Sequence, residues 1–476
     1  MEMTELRQAI EKQLPLTIGE TIHLAEQYSA RVTDVVLLES ELRLGLGREE
    51  ILKGVMAEYA HNLKALDIGL KDGESILLGT VASQMAQSGK HCFKDPFLEN
   101  ALLYTLAAQV GNHCIGLRPC AGTGDSCPYA GFVKAMMTEG VDETTVAEIA
   151  ALILKIGSIF RVGKVTTGCN MEGFGAGAAS VAAATVALEG GTPEQMEKAM
   201  VLAMSPTIAV PCTPRVLVPA LCTTHVGGAI LIGMYAARLC MIVDMTVNVP
   251  IDVMIAMASE VHVLSAKYCV PSVVDFMEPF FKRKPNVETL VSDEVKAAED
   301  QKIHDTLEKA RQIAKDLAKG TKPILNTFGD AVVGGSSQAV GSPTNAARIA
   351  HELIQNKGAI KKIRVELYPE LFARRAINIP GVLMGAVFGC GTGDYEMYKK
   401  SVDQVKAMGI QVDIAEGQEY GIQKISIEAE NGSCMVDTLN RGGGRLVLRN
   451  ASPSLEEARA AAERLGIVLV EAGPAH

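Results

Sequence analysis

The sequence lacks three features that would each assign it to a common class of protein. Its formal net charge of −10 is spread along the chain, which argues against a nucleic-acid-binding surface because such a surface needs a basic patch. The first residues lack the charged-then-apolar layout of a signal peptide. The eleven cysteines are an odd number, scattered without a tight framework. We therefore expect a cytoplasmic protein whose thiols are free or metal-bound.

The first part of the chain is apolar and helical in pattern. With 476 residues, of which 48% are hydrophobic, the chain can form two or three domains with a sizeable core. Thr17 and Ser75 are expected to cap the first and third of the early helices. Apolar residues recur with helical spacing over residues 17–28, 48–70, 75–87, 97–110, 130–138 and 143–160.

Residues 220–243 are apolar enough to raise the question of a membrane span. The stretch nevertheless contains Cys222, His225 and Arg238. We interpret it as a buried core helix of a soluble protein, and we expect no membrane partner.

The character of the sequence changes near residue 280. Residues 282–322 are more charged and include an amphipathic helix over 292–319. Beyond it, alternating apolar residues predict strands at 363–368, 411–415, 424–429 and 445–449, with helices at 345–356 and 455–465. We predict an α-helical domain over 1–280, a helical connector over 281–322 and a smaller α+β domain over 323–476.

Three cysteines, Cys169, Cys212 and Cys222, lie near glycine- or proline-marked turns between apolar helical segments. Three thiolates can hold a four-iron cluster and leave one iron open as a Lewis acid. Their spacing is not the compact ferredoxin pattern, so an ordinary role in the core stays open. The position of Cys169 just before a predicted helix favours a thiolate. The cysteines without such context, which are expected to be structural, are Cys92, Cys114, Cys240, Cys269, Cys390 and Cys434.

The segment 118–128 is dense in glycine and small polar residues, as expected where backbone approaches a ligand. A tight connection between two helices is the alternative. Cys120 and Cys127 could instead be a redox pair or cluster ligands. The groups suited to a substrate carboxylate are the Arg118 guanidinium, the Thr123 and Ser126 hydroxyls and the backbone amides around Gly124.

Two histidines lie close to these motifs. His225 follows Cys222 by three residues, so the two side chains face similar directions on a helix. It is either a core histidine or a general base, and His113 has the same two interpretations beside the 118–128 segment. The glycines of residues 173–177 superficially match a dinucleotide fingerprint, but no strand precedes them, so we assign them to close helix packing.

Taken in order, these motifs resemble the catalytic (α) domain of the iron–sulfur-dependent L-serine dehydratases, or L-serine ammonia-lyases. The resemblance covers roughly residues 90–245, and the family's substrate loop falls on residues 119–124. Cys212 and Cys222 are ten residues apart, one fewer than in the family. The other matching segments are Gly168–Gly173, the Ala-rich Val181–Leu188 and Gly190–Gln195.

The C-terminal part resembles the family's second (β) module in a divergent form. Gly334–Ala339 and Gly389–Asp394 resemble two of its motifs, but each lacks the family's histidine. The family often ends in a cysteine, whereas this chain ends in His476. The differences leave the substrate open, and the related iron–sulfur L-cysteine desulfidases share the cluster architecture.

The resemblance implies a [4Fe-4S] cluster on Cys169, Cys212 and Cys222, whose open iron binds the leaving hydroxyl or thiol. Arg118, Thr123, Gly124 and Ser126 would bind the substrate carboxylate. A base, for which His225 and His113 are the candidates, would remove the α-proton. β-Elimination from serine would then give pyruvate and ammonia.

Other functions stay open at this point. The enzyme could be an L-cysteine desulfidase or a dehydratase of another small β-substituted carboxylic acid. Outside enzymes, the alternatives are an iron–sulfur redox sensor and a metal-free protein with core cysteines. In each enzymatic case we expect a small-molecule substrate and a homodimer.

Overall fold

The computed structural model describes residues 2–118, 126–163, 171–209, 221–280, 283–320 and 338–471. Two compact units divide the chain, Met1–Arg311 and Gln312–His476. The first is helical, and the second combines helices with a five-stranded sheet. At this level the predicted fold class, a helical domain followed by a small α+β domain, is confirmed. The division after Arg311 falls within the segment 281–322 that we predicted as a connector.

The first unit is built from helices that pack round an alanine-rich core. Among the described residues, two short 3₁₀ turns, Ser205–Thr207 and Glu278–Phe280, accompany the α-helices. The α-helices are α1 (Glu2–Gln13), α2 (Ile18–Gln27), α3 (Val32–Leu44), α4 (Arg48–Lys71), α5 (Val81–Gln87), α6 (Pro96–Ile115), α7 (Ser126–Thr138), α8 (Glu143–Gly163), α9 (Met171–Leu188), α10 (Pro193–Met204), α11 (Leu221–Ile242), α12 (Ile251–Tyr268), α13 (Val270–Met277), α14 (Pro285–Glu288) and α15 (Asp293–Lys319), the last of which continues into the second unit.

One predicted helix cap is confirmed and the other is wrong. The Thr17 hydroxyl accepts the backbone N–H of Glu20, whose carboxylate accepts that of Thr17 in return, as in a capping box. The helix predicted over 75–87 begins only at Val81. A turn precedes it, in which Ser75 and Gly79 exchange backbone hydrogen bonds and Gly79 has a φ of 61°. This left-handed conformation, natural for glycine, ends any helix there.

Glycines set the distance between α4 and α6. A Cβ atom at Gly69 would lie 2.0 Å from the Ala107 carbonyl oxygen, and one at Gly111 would lie 1.9 Å from that of Ala65. Only glycine therefore permits the observed contact. Since position 69 meets 107 while position 65 meets 111, the two helices run antiparallel.

Among the described residues, one helix is long and apolar enough to cross a membrane by length and composition, Thr223–Ile242. The bent pair α12 and α13 meets the same criteria only if it is counted as one span. Of the most apolar window of Thr223–Ile242, 56% is buried inside the protein. Within α11, Gly233 packs on Val181 of α9 and Gly227 on Leu102 of α6. This packing agrees with the core helix of a soluble protein.

The second unit places its helices against one mixed sheet. The strand order is β2-β1-β3-β4-β5, in which β1 and β2 are parallel and the other neighbours antiparallel. Inward-facing residues such as Val365, Ile425 and Val436 form its core. The strands and helices are α16 (Gln338–Ile354), β1 (Ile360–Leu367), α17 (Pro369–Ala373), α18 (Arg375–Phe388), α19 (Tyr395–Ala407), β2 (Gln411–Glu416), β3 (Ile422–Ala429), β4 (Gly432–Asn440), β5 (Leu446–Ser452) and α20 (Leu455–Arg464).

All four predicted strands are present, as β1, β2, β3 and β5, and both predicted helices are present as α16 and α20. The sequence analysis missed β4, which pairs with both β3 and β5. It also missed α18, a helix with Pro380 inside it. Proline removes a backbone donor and normally ends a helix, so the apolar pattern around it was not recognised.

Candidate functional site

The N-terminal halves of α7, α9 and α11 meet in the first unit. A Cβ atom placed on Gly177 of α9 would lie 3.1 Å from Cβ of Ala229 in α11 and 3.2 Å from Cγ of Pro128 in α7. Farther along, Gly233 packs on Val181, so α9 and α11 run parallel. The N-termini of both helices therefore lie at the same end, beside that of α7.

The last turns of α6 lie at this end as well. The side chain of Gln109 in α6 contacts Cys127 in the first turn of α7, and Thr138 at the end of α7 donates a hydrogen bond of 3.1 Å to the Tyr104 hydroxyl. This order makes α6 and α7 antiparallel. The C-terminal end of α6 and the three helix N-termini together define what we call the site end.

Each sequence segment that carries a predicted site residue joins directly to one of these helices. Residues 119–125, 164–170 and 210–220 precede α7, α9 and α11. Thr123, Gly124, Cys169 and Cys212 lie in these segments, outside the described residues. Cys222 is the second residue of α11, but its side chain is also outside what the structure describes.

His225 is buried at the site end. It is 7% exposed, and its ring centroid lies 4.8 Å from that of Phe174 in α9. Its Nε2 atom is buried without a hydrogen-bond partner in the described part of the chain. Burial lowers the pKa of His225 from 6.5 to about 4, because a charged imidazolium would lose its hydration without gaining a partner. The imidazole is therefore neutral at pH 7.

His113 lies in the last turn of α6, with its surface partly open to solvent. Its Nδ1 contacts the Ser75 hydroxyl, and its Nε2 lies 3.1 Å from Nε2 of Gln109. The neighbouring residues desolvate the ring and lower the pKa of His113 below its ordinary value. His113 thus connects solvent to Gln109 and, through it, to Cys127.

The residues flanking the 119–125 segment are held by the helices on either side. The backbone N–H of Arg118 donates to Oδ1 of Asn62, while the Arg118 side chain is exposed. Asn62 is completely buried, and its Nδ2 atom has no partner among the residues that the structure describes. Ser126, the first residue of α7, is also completely buried.

The sequence analysis did not identify Asn62, Ser75 or Gln109 as parts of a site. Gln109 gave the only usable signal, since it is a polar residue in an apolar helix and precedes His113 by one helical turn. The contacts of Asn62 and Ser75 come from tertiary packing and turn geometry. Neither follows from sequence spacing.

In the second unit, the Gly389–Asp394 motif connects two helices. Gly389 ends α18 in the left-handed conformation with a φ of 65°, and the Asp394 carboxylate accepts the backbone N–H of Met397 to cap α19. Nε of Arg348 donates to the Gly389 carbonyl oxygen at 3.3 Å. Of the related motif 334–339, residues 334–337 lie outside the described part of the chain.

The described residues contain no group of three or more histidine, cysteine or acidic side chains arranged to hold a metal ion. The side chains of all three predicted cluster ligands lie outside the part of the chain that the structure describes. Comparison with known proteins assigns no relative: no protein-family model matches the chain, and no curated protein matches it.

Proposed function

We propose that this protein is an iron–sulfur-dependent lyase that eliminates the β-substituent of a small hydroxy- or thiol-bearing amino acid. Its reaction would be that of an L-serine dehydratase, which gives pyruvate and ammonia. The observation that carries the proposal is the meeting of the N-terminal halves of α7, α9 and α11 around Gly177. Each of these helices continues directly from a segment with residues of the dehydratase-like motifs.

The chemistry of the site end suits an anionic cluster. Helix N-termini carry a partial positive charge, which favours thiolate over thiol in residues nearby. Cys169 precedes α9 by two residues, and Cys222 belongs to the first turn of α11. Cys169, Cys212 and Cys222 would hold the cluster, which would supply a Lewis-acidic iron to the substrate.

The protein's own residues would bind and orient the substrate. Arg118 would pair with the substrate carboxylate, supported by the Thr123 and Ser126 hydroxyls and the backbone amides around Gly124. Asn62 fixes the backbone of Arg118, and α7 fixes Ser126. A substrate held between these two anchors would need little reorganisation on binding.

The α-proton would go to a neutral imidazole. Burial lowers the pKa of both His225 and His113, so each ring is unprotonated at pH 7 and able to accept a proton. His113 also contacts solvent, which gives it a route for releasing the proton. We assign it the main proton-transfer role and give His225 the role of a buried hydrogen-bonding group. We also propose that the protein is cytoplasmic, since reducing conditions preserve such clusters, and that it forms a homodimer.

The test is anaerobic purification followed by iron and sulfide analysis and an assay of 2-oxo acid release. We expect about four irons per chain, as in a [4Fe-4S] protein. A panel of L-serine, L-cysteine, L-threonine and small β-hydroxy acids would identify the substrate. If L-cysteine is the only substrate of the panel that reacts, and it gives pyruvate and sulfide, the protein is a desulfidase.

Two cysteine variants make the test specific. Cys169→Ala should lose both the cluster absorbance and the lyase activity, whereas Cys114→Ala, which changes an exposed thiol, should keep both. Absence of iron from the anaerobically purified protein would contradict the proposal. Full cluster absorbance in Cys169→Ala would remove Cys169 from the ligand set. Bound cluster without lyase activity on any substrate would favour a redox sensor.

A further inference from the structure

Arg348 of α16 is a partly buried arginine that has no carboxylate partner in the described part of the chain. Its Nε donates to the Gly389 carbonyl oxygen at 3.3 Å, and its Nη1 donates to Oδ1 of Asn345 at 3.4 Å. Both acceptors are neutral, and both bonds are longer than the charge-assisted value of about 2.7–2.9 Å. A guanidinium has five N–H groups, so three of them remain for another acceptor.

Arg48 in the first unit shows how a similarly buried guanidinium is normally paired. Its side chain is 34% exposed, and its Nη2 bonds the carboxylates of Asp34 at 2.7 Å and Glu148 at 2.6 Å. These bonds outweigh desolvation and raise the pKa of Arg48. Desolvation instead lowers the pKa of Arg348, because no comparable counter-charge is present. A partly buried cation in this condition calls for an anion from outside the described chain.

The carboxylates around Arg348 are used elsewhere. Glu352 lies one helical turn farther along α16, but its two oxygens accept from Gln355 at 2.9 Å and from Arg464 at 3.3 Å. The Asp394 carboxylate accepts the backbone N–H of Met397 and caps α19. The remaining N–H groups of Arg348 are therefore available to a ligand.

Two glycine-rich segments, 389–393 and 442–444, flank the guanidinium. A Cβ atom on Gly391 would lie 3.5 Å from Cζ and Nη1 of Arg348, so a larger side chain there would cover the group that glycine leaves open. Asn345 connects Arg348 to the second segment, since its Nδ2 donates to the Gly444 carbonyl oxygen at 3.0 Å. Part of the Arg348 side chain stays open to solvent, so a small ligand can enter directly.

A buried hydroxyl beside Arg348 also lacks a partner. Thr344 precedes Arg348 by four residues, so the two side chains are neighbours on the surface of α16. Thr344 is completely buried, and its Oγ1 has no hydrogen-bond partner among the described residues. Both residues border α18 at one place, since a Cβ atom on Gly385 would lie 2.7 Å from the Thr344 carbonyl oxygen and 3.3 Å from Cγ of Arg348. An unpaired hydroxyl beside an under-bonded guanidinium indicates that a polar group from outside is bound here.

We propose that the second unit binds a small oxyanion, a carboxylate or a phosphate, at Arg348 between the segments 389–393 and 442–444. We call this place the oxyanion site. Two ligand oxygens would accept N–H groups from the planar guanidinium, which matches the geometry of either anion. All of its residues belong to the second unit, so the proposal depends neither on the proposed lyase activity nor on a cluster.

Cys390 provides a local reporter for this site. Its half-buried thiol belongs to the segment 389–393, and its charge acts on that of Arg348. An anion bound at Arg348 would cover the thiol and disfavour the thiolate, so alkylation of Cys390 by iodoacetamide should slow. The exposed Cys269 of the first unit is the reference thiol.

The experiment measures alkylation rates by peptide mass spectrometry on the full chain at pH 7.5. Sodium phosphate or sodium acetate replaces part of the sodium chloride at constant ionic strength. At about 20 mM of the effective oxyanion we expect alkylation of Cys390 to slow at least about threefold, as for a millimolar affinity, while Cys269 is unaffected. Slowing by phosphate alone would identify a phosphate site, and slowing by acetate alone a carboxylate site. Equal rates in phosphate, acetate and chloride would overturn the proposal.

Variants of Arg348 locate the effect. Arg348→Gln removes the charge and should abolish the protection of Cys390, while Arg348→Lys keeps a point charge without the planar fork and should weaken it. Arg364→Gln, at an arginine on β1 with 56% of its side chain exposed, should keep the protection of the wild type. Far-UV circular dichroism checks that each variant is folded. Wild-type protection in Arg348→Gln would overturn the proposal, and if that variant does not fold, wild-type protection in Arg348→Lys would do so.

Discussion

Protonation of His225 should make the first unit sensitive to mild acid. The folded protein holds this imidazole neutral, with a pKa of about 4, whereas the unfolded chain restores the ordinary value of 6.5. The unfolded state therefore binds more protons between these values. Above pH 6.5 the histidine is neutral in both states and does not lower the free energy of unfolding. As the pH falls from 6.5 towards 4, the unfolded chain takes up the proton first, and the free energy of unfolding decreases.

The magnitude follows from the size of the shift. At 1.36 kcal/mol per pKa unit, the change from 6.5 to about 4 is worth about 3 kcal/mol in total. At pH 5 the linkage relation gives a loss of about 2 kcal/mol relative to neutral pH. A loss of this size is a large fraction of the stability of a typical domain.

Urea unfolding at pH 7 and pH 5 measures this effect. The chain has no tryptophan, so far-UV circular dichroism of the helices is the suitable signal. His225→Leu removes the titrating group. From pH 7 to pH 5, the variant should therefore lose about 2 kcal/mol less unfolding free energy than the wild type loses. Contributions from carboxylates cancel in this difference.

A second variant controls for the removal of any histidine. His304 has a side chain 72% exposed, and His304→Gln should retain the pH dependence of the wild type. The reasoning fails if His225→Leu and the wild type lose the same free energy between pH 7 and pH 5, within about 0.5 kcal/mol. Equal losses would mean that His225 titrates near its ordinary pKa in the folded protein.

Three further predictions concern the framework of the first unit. Glu148 is 7% exposed on its side chain and bonds Arg31 and Arg48 at 2.8 and 2.6 Å, so Glu148→Gln should lower the free energy of unfolding by about 1–2 kcal/mol. Glu396→Gln, at an exposed pair in the second unit, should cost less than about 1 kcal/mol. Gly69→Ala in α4 would place a Cβ atom 2.0 Å from a carbonyl oxygen and should lower the melting temperature. Gly54→Ala in the same helix would meet nothing within 4 Å and should raise the free energy of unfolding by about 0.5–1 kcal/mol. Thr17→Ala should cost about 1 kcal/mol through loss of the cap of α2, as measured by urea unfolding. Equal melting temperatures for the two glycine variants would contradict the packing argument.

Local signals in the sequence predict much of the fold. Helix α2 begins after Thr17 because a hydroxyl and a carboxylate three residues apart satisfy the first backbone donors. Strands β1 and β3 were recognisable because their inward residues alternate with outward ones. These features depend on neighbours within a few residues.

The missed elements depend on contacts from elsewhere in the fold. Strand β4 lies between β3 and β5, and pairing with both neighbours sets its register. Helix α18 continues through Pro380, whose carbonyl oxygen accepts a hydrogen bond from the Ser401 hydroxyl in α19. The residue before Pro380 is buried in the core, so packing offsets the missing donor.

The candidate site also combines features that local sequence predicts with contacts between distant parts of the chain. Cysteines and glycines of the dehydratase-like motifs stand out in the sequence, because their spacing and turn residues are local. The contacts that link Ser75, His113, Gln109 and Cys127 do not stand out, since these residues come together only through the turn at Gly79 and the antiparallel packing of α6 and α7. Sequence distance hides this relation, although Gln109 and His113 are one helical turn apart.

Apart from Arg118, which would pair with the substrate carboxylate in the proposed function, the site end would favour anions through partial charges. Burial keeps His225 and His113 neutral, and three helix N-termini supply partial positive charge instead. A neutral imidazole can accept a proton from a bound substrate, whereas an imidazolium could not. Partial charges of the backbone also stay constant across pH, so the preference for thiolates and carboxylates persists when the histidines begin to titrate. Under the proposed lyase function, lowering the pH from 7 to 5 should therefore reduce turnover more than substrate affinity, and a matching loss of both would contradict this arrangement.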